Sequence, residues 1–236
     1  MISNAVHPDA SAAPVGADTA SPAPVRVQYG CGWSVQAGWQ NFDASPTLRF
    51  EKLPLIGRLY VKNAAPFPDG ARFGDIVKGL PFPDSTVDCV YASHVLEHLS
   101  YQDCRRALRN TYRMLKPGGT FRLVVPDLQW RAAAYLQALA AGDRQAATAF
   151  MRSTLLGVEE RPRGLFGWLG MLFGNSAHLW MWDEASLTDA LKEAGFATVR
   201  RCRFGDADIA DFAMVEEKSR FYEGDQAELA LEARKG

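Results

Sequence analysis

The chain is poor in paired cysteine. Cys31, Cys89, Cys104 and Cys202 are scattered, with no CxxC between them. A disulfide scaffold and a zinc ribbon are thereby excluded, and a reducing, cytoplasmic compartment is expected. Charge of one sign is also missing: the formal net charge is -1, which gives no electrostatic reason to expect nucleic acid or an acidic membrane as partner. Long apolar runs are absent too. The longest, GLFGWLGMLFG at 164–174, falls far short of the roughly 20 residues of a membrane span. The first residues carry neither the basic start nor the apolar segment of a secretory signal.

What is present suits one domain with a sizeable core: 236 residues, 47% of them hydrophobic. Residues 1–24, rich in Ala, Pro and Ser, bury too little to order themselves and are expected to be a disordered tail before a domain over 25–236. The pattern predicts strands over 25–29, 38–45, 72–76, 87–94, 120–126, 197–204 and 228–234. Helices are predicted over 101–116, closed by Pro117-Gly118-Gly119, and over 127–141, 143–156 and 183–196. Alternating strands and helices imply an α/β fold, a doubly wound, mostly parallel sheet that binds ligands at the carboxyl ends of its strands.

The stretch VQYGCGWSVQAGWQNFD (27–43) ends its first strand in Gly30-Cys31-Gly32. A dinucleotide fingerprint needs a third glycine where Val35 stands. Taken singly, Gly30 and Gly32 could be turn glycines, and Asp43 and Asp75 solvated acids at strand ends. Their joint placement after successive strands favours a ligand site. Only ten residues separate Gly32 from Asp43, too few for a crossover helix plus a strand, so the first helix is expected to be cut to about a turn or lost.

The blocks YGCG (29–32), NFDAS (41–45), GDI with GLPFPDSTVDCVYASHVLEHL (74–99) and MLKPGGTFRLVVPD (114–127) resemble the class I S-adenosylmethionine-dependent methyltransferases, of the type 11-like kind. The later HLWMWDEASLTDALKEAGF (178–196) and ELALEARK are similar to a bacterial group often associated with surface-glycan pathways. The resemblance implies a Rossmann-like fold, S-adenosylmethionine as cofactor, and a hydroxyl or amine acceptor on a sugar-containing or other small molecule. It implies that Gly30, Cys31 and Gly32 let the backbone approach the cofactor. Asp43 would accept from both ribose hydroxyls, Asp75 from the adenine amine with Ile76 packed on the ring, and Ser93 and His94 would lie near the methionine part.

His94-Val95-Leu96-Glu97-His98 reads H-x-x-E-H, the spacing of inverted zinc peptidases. His94 stands at a strand end and not on a helix, which sets that reading aside. The Glu-x-x-Glu-His run by which some related methyltransferases hold Mg²⁺ is a second metal reading, which His94 in place of its first Glu suits less well. His178 could supply a further ligand through space, and no metal is expected. Glu97 and His98 are read as hydrogen-bonded under the sheet edge. His94 and His178 are the candidates for general base or substrate orientation, since an imidazole titrates near 6.5. The aromatic stretch 159–183, with Phe166, Trp168, Phe173, Trp180 and Trp182, reads either as a lid over the acceptor, with Arg161 and Arg163 available to an anionic one, or as an apolar packing cap. Asp84 is read as a turn residue and Asp88 as structural. The rival readings are an NAD(P)-dependent oxidoreductase, with Tyr112-x-x-x-Lys116 as its catalytic pair, and a non-catalytic cofactor-binding protein.

Overall fold

Three long, mostly buried strands and four short ones fix the frame of the molecule, a computed structural model that describes residues 23–53, 66–160 and 177–236. In chain order the elements are β1 (Arg26–Tyr29), β2 (Gln40–Asp43), α1 (Pro46–Glu51), β3 (Ala71–Phe73), β4 (Val87–Ser93) and α2 (Tyr101–Met114). Then follow β5 (Leu115–Val125), α3 (Leu128–Ala140), α4 (Ala146–Ser153), α5 (Glu184–Ala194), β6 (Thr198–Arg201), the hairpin β7 (Tyr222–Glu223) and β8 (Gln226–Ala227), and β9 (Leu229–Arg234). The main sheet runs β3-β2-β1-β4-β5-β9-β6. Its first five strands are parallel, and β9 is antiparallel to both β5 and β6. This is the mostly parallel, Rossmann-like α/β architecture expected of a class I methyltransferase. The strand order reverses between β1 and β4, so ligand space opens where the loops after those two strands meet.

Alternation along the strands serves both faces. Val90 and Ala92 of β4, and Phe121, Leu123 and Val125 of β5, join the core that α2 and α5 cover with Cys104, Ala107, Leu108, Leu187 and Leu191. Cys89 and Tyr91 point the other way, onto Trp39, Phe212 and Val215. Phe212 lies in a short 3-10 turn, Ala210–Met214, that closes that face. The helix starts follow from side chains able to hold orphan amides: Ser100 accepts from Asp103, Asp127 from Gln129 and Asp183 from Ser186.

Three local expectations are corrected. The helix predicted to Lys116 ends at Met114, and Leu115 is already extended and paired with Val87. Pro117 offers no donor and pushes Lys116 out of helical space. Residues 116–119 form a bulge inside β5, because the next pairing joins Cys89 to Thr120. The third strand stops before Gly74, leaving Asp75 in the following turn. The helix predicted over 143–156 is confined to Ala146–Ser153. Between β1 and β2 no helix forms at all, so the abridged crossover has reached its limit. The tail expected over 1–24 lies outside the described residues except for 23 and 24, as do 161–176 of the expected lid, with Arg161, Arg163, Phe166, Trp168 and Phe173. Among the described residues no helix is long and apolar enough to cross a membrane.

Candidate active site

The parallel pairing of β1 with β2 and β4 places Gly30–Gly32, Asp43 and Ser93–His94 at the same edge of the sheet. Asp43 closes β2, and its carboxylate is fixed by two backbone amides. Gly32 N–H donates to one oxygen at 2.9 Å and Ser45 N–H to the other at 2.7 Å. Each carboxylate oxygen can accept about twice, so each keeps one free lone pair. Asp75 is brought alongside because Gly74 N–H donates to the Asp43 carbonyl at 3.1 Å. Asp75 accepts from Val77 N–H at 2.9 Å and faces Lys78 at 3.2 Å. The turn itself is pinned by Asn110, which donates to the Ile76 and Val77 carbonyls.

The two loop glycines differ in kind. Gly30 has φ +68, and a Cβ there would lie 2.1 Å from Val95 Cγ2. Val95, not a bound molecule, therefore demands glycine at 30, and this contact joins the loops on either side of the switch point. Gly32 has φ +52 and open space where its Cβ would stand; its bare face is the one a ligand can approach. Cys31 turns its side chain into a cluster with Leu48, Phe67 and Ala71, away from that face, and spends its N–H on the Phe42 carbonyl. Burial, with Asp43 adding to it, pushes its thiol up to about 12. Ile76 belongs to the main core. Ser93 Oγ is buried beside the Tyr91 hydroxyl. Trp33, half exposed, stacks on Phe67 at 4.6 Å beside the loop, whereas Trp39 is buried against Phe212.

At the end of β4 the backbone turns sharply through His94, φ +54. Its Nε2 lies 2.9 Å from the Arg220 carbonyl and its Nδ1 3.3 Å from Glu97. Burial works against the charged ring, but the Glu97 carboxylate and that carbonyl outweigh it and raise the pKa above the ordinary imidazole value. Both nitrogens thus face acceptors, so His94 is placed to donate. His178, from a segment eighty residues on, is buried beside His98, ring centroids 5.0 Å apart. Its pKa is lowered, chiefly by burial. Its Nδ1 has no partner. Glu97, His98 and His178 converge, and the spacing H-x-x-E-H already hinted at two of the three. Trp182, in the stretch read either as a lid or as a packing cap, is 1% exposed in the core, stacked on Tyr101. Trp180 remains half exposed.

Composition and spacing concealed two other polar constructions. Arg122, fully buried in β5, donates to Glu216, Glu232, Asp206 and the Arg203 carbonyl. Arg131 of α3 forks onto Glu228 at 2.8 Å twice and also reaches Glu223. Lys116 grips Asp88 at 2.7 and 2.8 Å, while Tyr112 packs on Phe196. The Tyr112–Lys116 pair is consequently structural, as is Asp88, and Asp84 pairs with Arg113 in the turn before β4.

A family model described as a methyltransferase domain matches residues 15–201. The ubiquinone/menaquinone biosynthesis C-methyltransferase UbiE of Escherichia coli is 50% identical over 75 residues, which are 32% of this chain and 28% of that protein. The chain thus matches little more than a quarter of the length of that curated relative. Among solved structures, a SAM-dependent methyltransferase from Archaeoglobus fulgidus superposes with TM-score 0.46 at 14% identity, covering 91% of this chain and 87% of that one. An S-adenosylmethionine-dependent methyltransferase from Mesorhizobium loti gives 0.43 at 18%, covering 90% and 91%.

Proposed function

The chain belongs to the methyltransferase-domain family, and from that premise we propose that it moves a methyl group from S-adenosylmethionine to a hydroxyl or amine of a sugar-containing or other small-molecule acceptor. The observation that carries the cofactor assignment is the Asp43 carboxylate. Two amides hold it, with one free lone pair on each oxygen, an arrangement that fits a pair of neighbouring ribose hydroxyls. The bare face of Gly32 fits the same ligand, and Ser93 closes β4 at the same edge of the sheet. Asp75, tethered next to Asp43, is the partner for the adenine amine. Cys31 and Ile76 shape the pocket from behind, and Gly30 does so through Val95.

S-adenosylmethionine supplies a methyl group on a sulfonium, already activated for in-line displacement. The protein's task is then chiefly alignment. His94 and His178 are the acceptor-side residues of this reading. His94 orients by donating, and His178, with a buried free Nδ1, is the ring able to receive. The protic character of this corner favours an oxygen or nitrogen acceptor, and the exposed indole of Trp180, two residues from His178, offers a face for a sugar ring.

Radiolabelled methyl transfer from S-adenosylmethionine to a panel of nucleotide sugars, small hydroxylated molecules, amines and quinols tests the reading. Label on oxygen or nitrogen supports it. Label only on a quinol ring carbon overturns the acceptor class. Tight cofactor binding without label on any acceptor would favour a non-catalytic protein.

A further inference from the structure

Glu97 presents an unusual electrostatic problem. Its side chain is 1% exposed, and His94 Nδ1 is the one donor that faces it among the described residues. An ionised carboxylate in that position costs several kcal/mol unless positive charge meets it. His94 Nδ1 approaches only Oε1, at 3.3 Å, and Oε2 stays bare.

The neighbours make matters worse without a cation. His98 Nδ1 lies 3.1 Å from the Ala177 carbonyl. A carbonyl only accepts, so Nδ1 carries the proton and Nε2 of the neutral ring carries a lone pair. That lone pair looks at Glu97 Oε1 across 4.0 Å. His178 adds a second buried nitrogen, Nδ1, with no partner. One atom from each of the three side chains lies within 4.8 Å of the others.

We propose that Glu97, His98 and His178 form a binding site for a divalent transition cation of the zinc class. Two imidazole nitrogens and one carboxylate oxygen are a donor set for zinc and its first-row neighbours, whereas magnesium prefers oxygen throughout. In a filled tetrahedral site with bonds of about 2.1 Å the donors stand about 3.4 Å apart, so the cluster closes by roughly 1 Å through side-chain rotation. The frame for that closure exists. Leu179 and Trp180 N–H donate to the Glu97 carbonyl at 2.7 and 3.1 Å, which ties the segment bearing His178 to the turn bearing Glu97. The Ala177 carbonyl on His98 Nδ1 is the outer contact that fixes a ligating ring and aims its other nitrogen inward. Three protein donors leave a fourth position for water or another oxygen ligand, and with the cation bound His178 Nδ1 is a ligand and no longer the proton acceptor of the functional reading. The site departs from the sequence expectation of no metal, and its third donor is the His178 that the sequence reading allowed as a further ligand through space.

The test uses the full chain, stripped with chelator and titrated with Zn²⁺ alone, the bound metal being counted by mass spectrometry after desalting. One equivalent is expected to remain, and Co²⁺ in its place gives the intense visible bands of a four- or five-coordinate site. Glu97→Gln and His178→Ala each lower affinity at least about tenfold, while His7→Ala leaves it unchanged. Excess Mg²⁺ fails to displace Zn²⁺. Absence of a retained equivalent in the wild-type chain overturns the site whatever the variants do. So does Zn²⁺ binding that folded Glu97→Gln and His178→Ala, checked by circular dichroism, keep in full. Displacement by Mg²⁺ overturns the zinc-class assignment. Calorimetry with S-adenosylhomocysteine on the same samples reports the cofactor reading separately, so either can fail alone.

Discussion

Gly30 and Gly32 look interchangeable in the sequence, and the structure gives them opposite roles that substitution can separate. At Gly30, φ +68 costs an alanine about 1–2 kcal/mol. Its Cβ would also stand 2.1 Å from Val95 Cγ2, where carbons ordinarily keep about 3.5–4.0 Å. Such overpacking adds about 1–3 kcal/mol, so Gly30→Ala should destabilise by about 2–5 kcal/mol. Val95→Ala alone loses two methyl groups, about 1.6 kcal/mol at most. In the double variant the nearest contact relaxes from 2.1 Å to the remaining Cβ at 3.3 Å, and urea unfolding should show a favourable coupling of about 1–3 kcal/mol between the two sites. At Gly32 no neighbour lies within 4 Å, so Gly32→Ala should lose only the backbone cost of about 1–2 kcal/mol. It should nevertheless bind S-adenosylhomocysteine at least about tenfold more weakly by calorimetry, whereas Gly30→Ala/Val95→Ala should stay near wild type; tenfold is about 1.4 kcal/mol. Zero coupling between 30 and 95, or unchanged binding in Gly32→Ala, would refute the assignment.

Arg122→Ala leaves Glu216 buried with only the Gly205 N–H and Glu232 with only Arg200, and urea unfolding should register a loss of about 3 kcal/mol, carried mainly by Glu216. Arg122→Met, which fills the space but not the charge, should be no better while both acids remain. Burial alone would raise the Glu228 pKa, but the Arg131 fork and the Asp127 N–H lower it overall. Its stabilising contribution is therefore full above the unfolded value near 4.3 and is lost as pH falls through the lower folded value. Glu228→Gln should flatten that acid limb of the stability profile while lowering stability at pH 7. All four cysteines are buried, and burial first of all pushes each thiol up to about 12. Ellman's reagent should find essentially no reactive thiol in the native protein at pH 8, and four after unfolding.

Local chemistry was legible where neighbours in sequence decide the outcome. Ser100, Asp127 and Asp183 announce helix starts because capping is a contact over two or three residues. The run from Gly32 to Asp43 is too short for a helix, and none forms. What the pattern could not carry is contact across the chain. Arg122 sits among apolar residues of β5, yet its acids lie 84, 94 and 110 positions away. The H-x-x-E-H run displays Glu97 and His98 side by side, whereas His178 is only one candidate for a further ligand until the fold brings it to them. Cys31 sits between two loop glycines and reads as part of the cofactor turn, while the twist of that turn sends its side chain to Leu48 and Phe67. Trp182 reads equally as lid or as packing cap because its aromatic ring suits both, and packing on Tyr101 decides for the core.

The central claim, that the Asp43 carboxylate and the bare face of Gly32 hold S-adenosylmethionine, meets its most direct test in calorimetry of wild type and Asp43→Ala with S-adenosylhomocysteine, with NAD(P)H as the counter-ligand. Hydrogen bonds to a charged group contribute about 1.5–3 kcal/mol each, so losing two should weaken binding by roughly 10² to 10⁴. Wild type should bind S-adenosylhomocysteine one to one and ignore NAD(P)H, and Asp43→Ala should lose the binding by that factor. Heat from NAD(P)H in place of S-adenosylhomocysteine, or equal S-adenosylhomocysteine binding by both proteins, would contradict the account.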